Sequence, residues 1–211
     1  MKRAVVIGAA PDPHGIELIE PDDYIAVCDG GLGYALSNNV AADILVGDFD
    51  SFKGKLPALP EKTAVFTLPP EKDDTDIGYA VKLLLKTGFR DFLILGGSGG
   101  RFDHTLGNLA VAAGIAARGG IASVCGTRKG EMTYVFKNRE LTLDDAGLKY
   151  VSVIPWGCPS ATVSASGLKY PLDHRRLSAK NTLGISNEFA AGRVSIIAES
   201  GTIAVIVNPA D

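Results

Sequence analysis

The N-terminal part of the chain alternates short apolar runs with helical segments. The runs end at glycine, proline or acidic residues, which is typical of buried parallel strands. They are Ala4 to Gly8, Tyr24 to Cys28, Ile44 to Val46, Ala64 to Leu68, Phe92 to Leu95 and Ile121 to Cys125. Apolar residues at helical spacing (Ile77, Val81, Leu84 and Leu85) predict one helix, and others are expected over Leu32 to Leu36 and about His104 to Arg118.

From Met132 onward the pattern changes to short strands without helical periodicity. Two hairpins are predicted, Tyr134 to Phe136 with Glu140 to Leu143 and Val194 to Ala198 with Ile203 to Val207, and further strands at Tyr150 to Pro155 and Ala161 to Ala165. We therefore expect an α/β N-terminal domain with a mostly parallel sheet over residues 1–126, and a small all-β sandwich domain over residues 132–211.

Composition limits the classes of protein that fit this pattern. The 211 residues are 46% hydrophobic and 21% charged, as in ordinary globular proteins. A net charge of -3 and the lack of a basic run argue against a nucleic-acid partner. No apolar run approaches the roughly 20 residues that span a bilayer. Since Pro11 to Pro13 interrupts the first apolar stretch, we interpret that stretch as a strand and not as a leader.

The three cysteines are widely spaced and form no CxxC motif, so neither a disulfide framework nor a structural zinc site is expected. Reduced thiols and a cytoplasmic location are the expectation.

Acidic residues follow the apolar runs at two places. Asp48 and Asp50 come directly after Gly47, and in extended backbone their side chains would point the same way. Two carboxylates about 4 Å apart repel by about 4 kcal/mol at an effective dielectric of 20. A divalent metal, a shared proton or full solvation in a turn would relieve this repulsion. Asp29 also follows a strand, and the glycines after it permit either a ligand or a plain strand-to-helix turn.

Two further segments carry candidate residues. Acids at the start of the helix near Ile77 complement its dipole, which accounts for Asp73 and Asp74 and leaves Lys72 and Asp76 as functional candidates. The segment Gly96 to Gly100 has four glycines in five residues and resembles loops that direct backbone N–H groups at phosphate. Arg101, Asp103 and His104 follow it, although His104 is equally explained as a helix-start residue.

Ligands of open parallel sheets bind beyond the carboxyl ends of the strands, so these side chains should meet in one crevice. Several carboxylates, a glycine loop and basic residues together predict a metal-dependent site for a polyphosphate. The residues expected there are Asp29, Asp48, Asp50, Asp76, Arg101 and Asp103.

Six motifs occur in a characteristic order along most of the chain. They are Asp29-Gly30-Gly31, Gly47-Asp48-Phe49-Asp50-Ser51, Lys72-Asp73-Asp74-Thr75-Asp76, Gly99-Gly100-Arg101-Phe102-Asp103-His104, Gly167-Leu168-Lys169-Tyr170-Pro171-Leu172 and Gly184-Ile185-Ser186-Asn187-Glu188. In these motifs the sequence resembles the thiamine pyrophosphokinase family.

The resemblance implies a homodimer with composite active sites, in which Mg²⁺ assists transfer of a pyrophosphoryl group from ATP to the hydroxyl of thiamine, with AMP as the other product. It implies four metal ligands: Asp29, Asp48, Asp50 and Asp76. The nucleotide-binding residues would be Lys72, Thr75, Arg101, Asp103 and His104. Ser186 and Asn187 match the thiamine-site motif, although Ser and Asn between strands also commonly satisfy turn backbone.

The residue types suit this chemistry. An acid, Asp76 or Asp103, could accept the proton of the thiamine alcohol, while Asp48 and Asp50 hold the metal and Arg101 stabilises the transferring group. These five residues are the predicted catalytic set. A metal-dependent nucleotide hydrolase needs the same acids and glycine loop, and a non-catalytic nucleotide or thiamine sensor is a third reading. The sensor is disfavoured because a binding protein has no use for so many mutually repelling carboxylates.

Overall fold

The structure is a computed structural model that describes residues 2–10, 13–49, 56, 59–69, 71 and 73–210. The chain divides into two compact units. One comprises residues 1–111 and 124–127, and the other residues 112–123 and 128–211. The predicted domain limits, 1–126 and 132–211, stay a prediction.

The first unit is of the α/β type. Five of its strands pair in parallel in the order β5-β1-β2-β3-β4. Their bounds are β1 Ala4–Ile7, β2 Tyr24–Cys28, β3 Ile44–Gly47, β4 Ala64–Thr67 and β5 Asp91–Leu95. The helices are α1 Gly31–Ser37 and α2 Asp76–Lys86, while α3 Phe102–Ala117 and β6 Ile121–Cys125 contribute residues to both units. A short 3₁₀ helix spans Ile16–Leu18.

The central strands of this sheet are buried on both faces, which explains why they read as continuous apolar runs. All four residues of β1 are fully buried, and the apolar residues of β5 are nearly so. The outermost strand, β4, is largely exposed. The predicted strands of this part are therefore present, with ends that shift by at most one residue.

Helix α2 forms where its apolar spacing predicted a helix. The hydroxyl of Thr75 caps it by accepting a hydrogen bond of 3.1 Å from the Gly78 N–H. Its inward face is fully apolar and comprises Ile77, Ala80, Val81, Leu84 and Leu85. This helix therefore delivers Asp76, its first residue, to the carboxyl-end side of the sheet.

The second unit is a sandwich of two antiparallel sheets. One has the order β12-β9-β14-β7 and the other β11-β10-β13-β8. The strands are β7 Met132–Lys137, β8 Glu140–Asp144, β9 Leu148–Pro155, β10 Ser160–Ser166, β11 Leu172–Ser178, β12 Asn187–Glu188, β13 Arg193–Ser200 and β14 Thr202–Pro209. One core joins them, with Phe136 and Val153 from one sheet and Val163 and Ile196 from the other.

The two predicted hairpins are wrong, although all four strands exist. Strand β7 pairs with β14, and β8 pairs with β13, so each short connection carries the chain from one sheet to the other. Both connections contain a residue with positive φ, Asn138 at 51° and Gly201 at 75°. At the crossing, the Ala198 N–H donates to the carbonyl of Arg139 at 2.9 Å. Apolar alternation predicted the strands but did not specify their partners.

Strands β11 and β12 were not predicted. The alternation of β11 is hidden by the consecutive polar residues Asp173 to Arg176, all of which are exposed. This strand lies at the edge of its sheet, where charged side chains discourage pairing with another chain. Strand β12 has only two residues and is too short for a periodic signal.

Along the described ranges, no helix has the length and apolar character needed to cross a membrane.

An ion pair ties the start of β1 to the turn before β2. Arg3 donates from Nε and Nη2 to the two carboxylate oxygens of Asp23 at 3.0 and 2.7 Å, and the Glu20 N–H donates to Asp23 Oδ2 at 2.8 Å. Burial raises the pKa of Asp23, but these hydrogen bonds outweigh it, so the net pKa lies below the usual 3.8. The Asp23 side chain is only 3% exposed.

We expect Asp23→Asn to lower the free energy of unfolding by about 2 kcal/mol at neutral pH, because it removes a hydrogen-bonded charge. A lowered folded-state pKa gives stability that is present above pH 3.8 and lost as the pH falls through the folded pKa. Urea denaturation over a pH series should therefore show the two proteins converging in acid. Asp22→Asn, at the exposed neighbouring position, is the control. An equal loss in that control, or a difference independent of pH, would contradict the role of the ion pair.

Candidate active site

A cavity of about 550 Å³ lies in the first unit, at the carboxyl ends of β1, β2 and β5 and the N-terminal ends of α2 and α3. Five residues predicted for the site line it: Asp29, Thr75, Asp76, Arg101 and His104. The site thus forms where the rule for open parallel sheets places it.

The glycine loop, residues 96–100, forms one wall of this cavity. Its backbone packs against the segment that follows β1, since the Ala10 N–H donates to the Gly96 carbonyl at 3.3 Å. A Cβ atom at Gly96 would lie 2.6 Å from the Gly8 carbonyl oxygen, and the φ of Gly96 is +62°. Both facts exclude a larger residue at this position without a backbone shift.

Two acids line the cavity from neighbouring elements. Asp29 follows β2 and Asp76 begins α2, and one carboxylate oxygen of each, Oδ1, is buried. Their charges affect the pKa of Cys28, which also lines the cavity. Burial, followed by the charges of Asp76 and Asp29, raises the pKa of the Cys28 thiol far above its usual value of 9.0. The cavity therefore has an acidic side.

Asp48 lies at the end of β3, beside Asp29 but not in the cavity lining. The Asp29 N–H donates to the Val46 carbonyl at 2.9 Å, and a Cβ at Gly47 would lie 2.8 Å from the Asp29 Cβ. The two acids thus follow the ends of adjacent strands that approach closely. Asp50, the other member of the predicted pair, lies outside the described residues.

Carboxylate oxygens are the ligands that Mg²⁺ prefers, and Mg²⁺ commonly takes only one or two protein carboxylates, with waters and substrate phosphates completing its shell. Among the described residues, no three His, Cys, Asp or Glu side chains are grouped closely enough to hold a metal. The carboxylates of Asp29 and Asp76 in this cavity suit a cation that is shared with a polyanionic substrate.

The residues that precede α2, Lys72 to Thr75, include both a structural residue and a residue that lines the cavity. Asp74, which precedes α2, forms an ion pair with Lys82 of that helix and so has a structural partner. Thr75 lines the cavity while its oxygen caps α2, so its hydroxyl proton can still be donated. Lys72 lies outside the described residues.

Arg101 and Asp103 form a two-pronged ion pair. Arg101 Nε and Nη2 donate to Asp103 Oδ1 and Oδ2 at 3.1 and 2.6 Å. These bonds raise the pKa of Arg101 and lower that of Asp103. Asp103 is exposed and does not line the cavity, whereas His104 does, and the His104 N–H donates to Asp103 Oδ1 at 3.0 Å.

Ser186 and Asn187 belong to the second unit. Asn187 is buried, and its side chain bonds both backbone groups of Tyr170: Oδ1 accepts from the N–H at 3.0 Å and Nδ2 donates to the carbonyl at 2.7 Å. These bonds correspond to the alternative role given for Asn187 above, in which its side chain satisfies backbone hydrogen-bonding groups between strands. Ser186 is exposed, with a φ of 57°, and its N–H donates to Ser152 Oγ at 3.0 Å.

Sequence reasoning missed two parts of the cavity. Gly8, Ala9 and Ala10 follow β1 and line it. The strand-end rule could have found them, since they directly follow a predicted strand. Asn108 is only 6% exposed and also lines the cavity. Its signal was a polar residue four positions before the buried Ala112 of α3.

Comparison with known proteins bears on this site. The family model for the thiamin pyrophosphokinase catalytic domain matches residues 16–120, and the model for the thiamin pyrophosphokinase vitamin B1 binding domain matches residues 139–203. Thiamine pyrophosphokinase of Bacillus subtilis is 30% identical over 164 residues, covering 76% of this chain and 75% of that protein. The chain belongs to the thiamine pyrophosphokinase family.

Solved structures of the family share its fold. The crystal structure of thiamine pyrophosphokinase from Bacillus subtilis has a TM-score of 0.82 and 25% identity, covering 99% of both chains. That of thiamin pyrophosphokinase from Geobacillus thermodenitrificans has a TM-score of 0.79 and 26% identity, covering 100% of this chain and 98% of that one. The predicted two-domain fold class is confirmed. So is the prediction of an enzyme of the thiamine diphosphokinase type, at the level of the family. Membership is consistent with a divalent metal requirement.

Proposed function

We propose that this protein transfers the pyrophosphoryl group of ATP to the hydroxyl of thiamine, giving thiamine diphosphate and AMP, with Mg²⁺ as the metal. The main support for this proposal is the cavity that Asp29 and Asp76 line together with the glycine loop and Arg101. The chain's membership of the family is the second support. A polyphosphate, a divalent cation and a cationic thiazolium are mutually compatible ligands of such a site.

Asp29 and Asp76, with Asp48 and Asp50 from the end of β3, are the side chains that would hold Mg²⁺. When bound, Mg²⁺ would supply charge neutralisation on the phosphate oxygens. The N–H groups of the glycine loop would bind phosphate oxygens, and Lys72, Thr75 and His104 are the other side chains proposed to contact the nucleotide. Arg101 would exchange its partner Asp103 for the transferring group and stabilise the charge that develops there.

Asp76 is the better candidate to accept the proton of the thiamine hydroxyl. It lines the cavity, whereas Asp103 lies outside the lining.

The protein incubated with ATP and Mg²⁺, with and without thiamine, tests this proposal by the appearance of AMP. AMP and thiamine diphosphate formed only when thiamine is present would support the transferase. Nucleotide products formed equally without thiamine would instead indicate a hydrolase, and binding without turnover a sensor.

We further propose a homodimer in which residues near Ser186 and Asn187 contribute to thiamine binding in the partner's site. The glycine loop and the acids proposed for the phosphates and the metal belong to the first unit, so Ser186 and Asn187 would complete a site built outside their own unit. None of the three cysteines forms a disulfide bond, which suits a reducing compartment, and the cytoplasm is the location that we propose.

We predict that Asp48→Asn and Asp50→Asn each reduce turnover by about a hundredfold or more, because a lost metal ligand removes several kcal/mol of charge stabilisation. Removing one of several like charges should leave the melting temperature of the metal-free protein unchanged or raised. Asp22→Asn, at an exposed position just before the N-terminal end of β2, makes the same charge change at the end of that strand opposite to the cavity and should be fully active. Near-normal turnover of either variant at limiting Mg²⁺ would refute the metal role of that residue.

We predict that Arg101→Lys lowers kcat by about a hundredfold, since lysine keeps the charge but not the two-pronged geometry at a phosphate. Steady-state kinetics with each substrate varied would measure this loss. Arg175→Lys on the exposed strand β11 is the matched control and should behave as wild type. If the loss appears only as weaker thiamine binding, with kcat unchanged, Arg101 contacts a different substrate from the one proposed.

The composite site can be tested with mixed dimers of Asp48→Asn and Ser186→Lys. Ser186 is exposed, so the longer side chain has room, and its ammonium would repel a cationic thiazolium. Random mixing makes half of the dimers mixed, each with one intact site, so about a quarter of wild-type activity should return. Both parents must first prove inactive and dimeric. If unmixed and mixed samples are equally inactive, both residues serve the same chain's site.

A further inference from the structure

Asn108 is a buried polar residue of the cavity to which the proposed reaction gives no task. It lies on α3 and is 6% exposed, and its Nδ2 donates to the Gly97 carbonyl at 2.8 Å. Burying an amide group without a hydrogen bond raises the free energy of the folded state, so this bond stabilises the fold whatever its role in the site. Its partner, however, is the backbone of the glycine loop and not another element of the core.

The geometry of α3 explains why Asn108 reaches this loop. The helix begins at Phe102, directly after the loop, and the Thr105 N–H donates to the Arg101 carbonyl at 3.2 Å. Helical side chains tilt towards the N-terminus of their helix, over the preceding turn. A residue in the second turn of α3 therefore points back at the loop that precedes the first.

The glycine loop needs such a restraint. Gly96, Gly99 and Gly100 all have positive φ, a region that glycine enters readily but from which it also escapes readily. Two consecutive residues of the loop are tethered by side-chain hydrogen bonds. Asn108 holds Gly97, and the Ser98 hydroxyl donates to the Cys125 carbonyl at 2.7 Å. The loop is thus fixed from two sides at its centre.

The tether at Gly97 has an electrostatic consequence. A carbonyl oxygen directed at a phosphate repels it, while an N–H group attracts it. In a planar trans peptide, the carbonyl and the following N–H point in opposite directions. Engaging the Gly97 carbonyl therefore also fixes the direction of the Ser98 N–H and offsets the negative end of that peptide dipole.

We propose that Asn108 is a positioning residue for polyphosphate binding: its hydrogen bond to Gly97 holds the glycine loop, and with it Arg101, in the arrangement that receives the phosphates of the nucleotide. This inference rests on the proposed function for the identity of the ligand. The arrangement of the loop itself is a property of the ligand-free protein and can be measured without any substrate.

The test compares wild type with Asn108→Ala and Asn108→Leu. Leucine has the branched shape of asparagine and a somewhat larger volume, so it removes the donor without opening a cavity or adding a charge. In both variants we expect the KM for ATP to rise about tenfold or more, the equivalent of one lost hydrogen bond, while kcat and the KM for thiamine change less than about threefold. Backbone amide exchange in residues 96–100 of the ligand-free protein should accelerate, with the strands of the sheet unchanged.

Val81→Ala, in the apolar face of α2, provides a variant destabilised by core truncation in an element other than α3 and the glycine loop. It should lose melting temperature but keep the ATP KM of wild type. An unchanged ATP KM in both Asn108 variants, unchanged exchange of residues 96–100, or an equal rise in KM for Val81→Ala would each overturn the positioning role. Wild-type protein that forms no AMP from ATP and thiamine would refute the proposed function instead, and amide exchange would then decide the role of Asn108 by itself.

Discussion

The site depends on the close approach of three backbone segments: the end of β1, the first turn of α1 and the glycine loop. A Cβ atom at Gly31 would lie 2.5 Å from the Ile7 carbonyl oxygen, and one at Gly96 would lie 2.6 Å from that of Gly8. Real side chains essentially never come so close to backbone. The first turn of α1 and the glycine loop can therefore flank the end of β1 only because neither has a side chain there. This steric condition creates the crevice and brings backbone N–H groups, in place of side chains, to its walls.

The ion pair of Arg101 with Asp103, beside this crevice, is one in which an anionic ligand could replace the carboxylate. Asp103 already holds Arg101 in a two-pronged geometry, the same geometry that a phosphate would use. Moving the guanidinium from carboxylate to phosphate therefore replaces one anion by another and does not expose an uncompensated charge. Asp29 and Asp76 line the same cavity and place two acidic groups there. In the proposed reaction, a chain of net charge -3 would thus bind a polyanion through local geometry and not through net charge.

Sequence patterns predicted the parts of the fold that depend on burial and local turn chemistry. Strands β1, β2, β3 and β5 are buried on both faces, so their apolar runs were unambiguous. The carboxyl-end rule then placed Asp29, Asp76 and Arg101 in one cavity. Strand pairing in the second unit was not predictable, because alternation at Glu140 to Leu143 reports which face is buried and not which strand lies alongside. Asn108 was missed because a single polar residue at a helical spacing from apolar positions does not reveal its partner, which is the backbone carbonyl of Gly97.

The sheet-crossing connections at Asn138 and Gly201 have a consequence for how the second unit folds. Strand β7 does not pair with β8, and β13 does not pair with β14, so neither of these short connections forms a hairpin that could act as a local nucleus; β10 and β11, by contrast, are neighbours in sequence that do pair. Lys137 aligns with Thr202, and Glu140 with Ile197, which means that both sheets need partners more than fifty residues away along the chain. Pairings of such long range close large loops before they gain contacts, and they slow folding. On a ribosome, β7 and β8 would have to wait for β14 and β13 to emerge before they could pair with them.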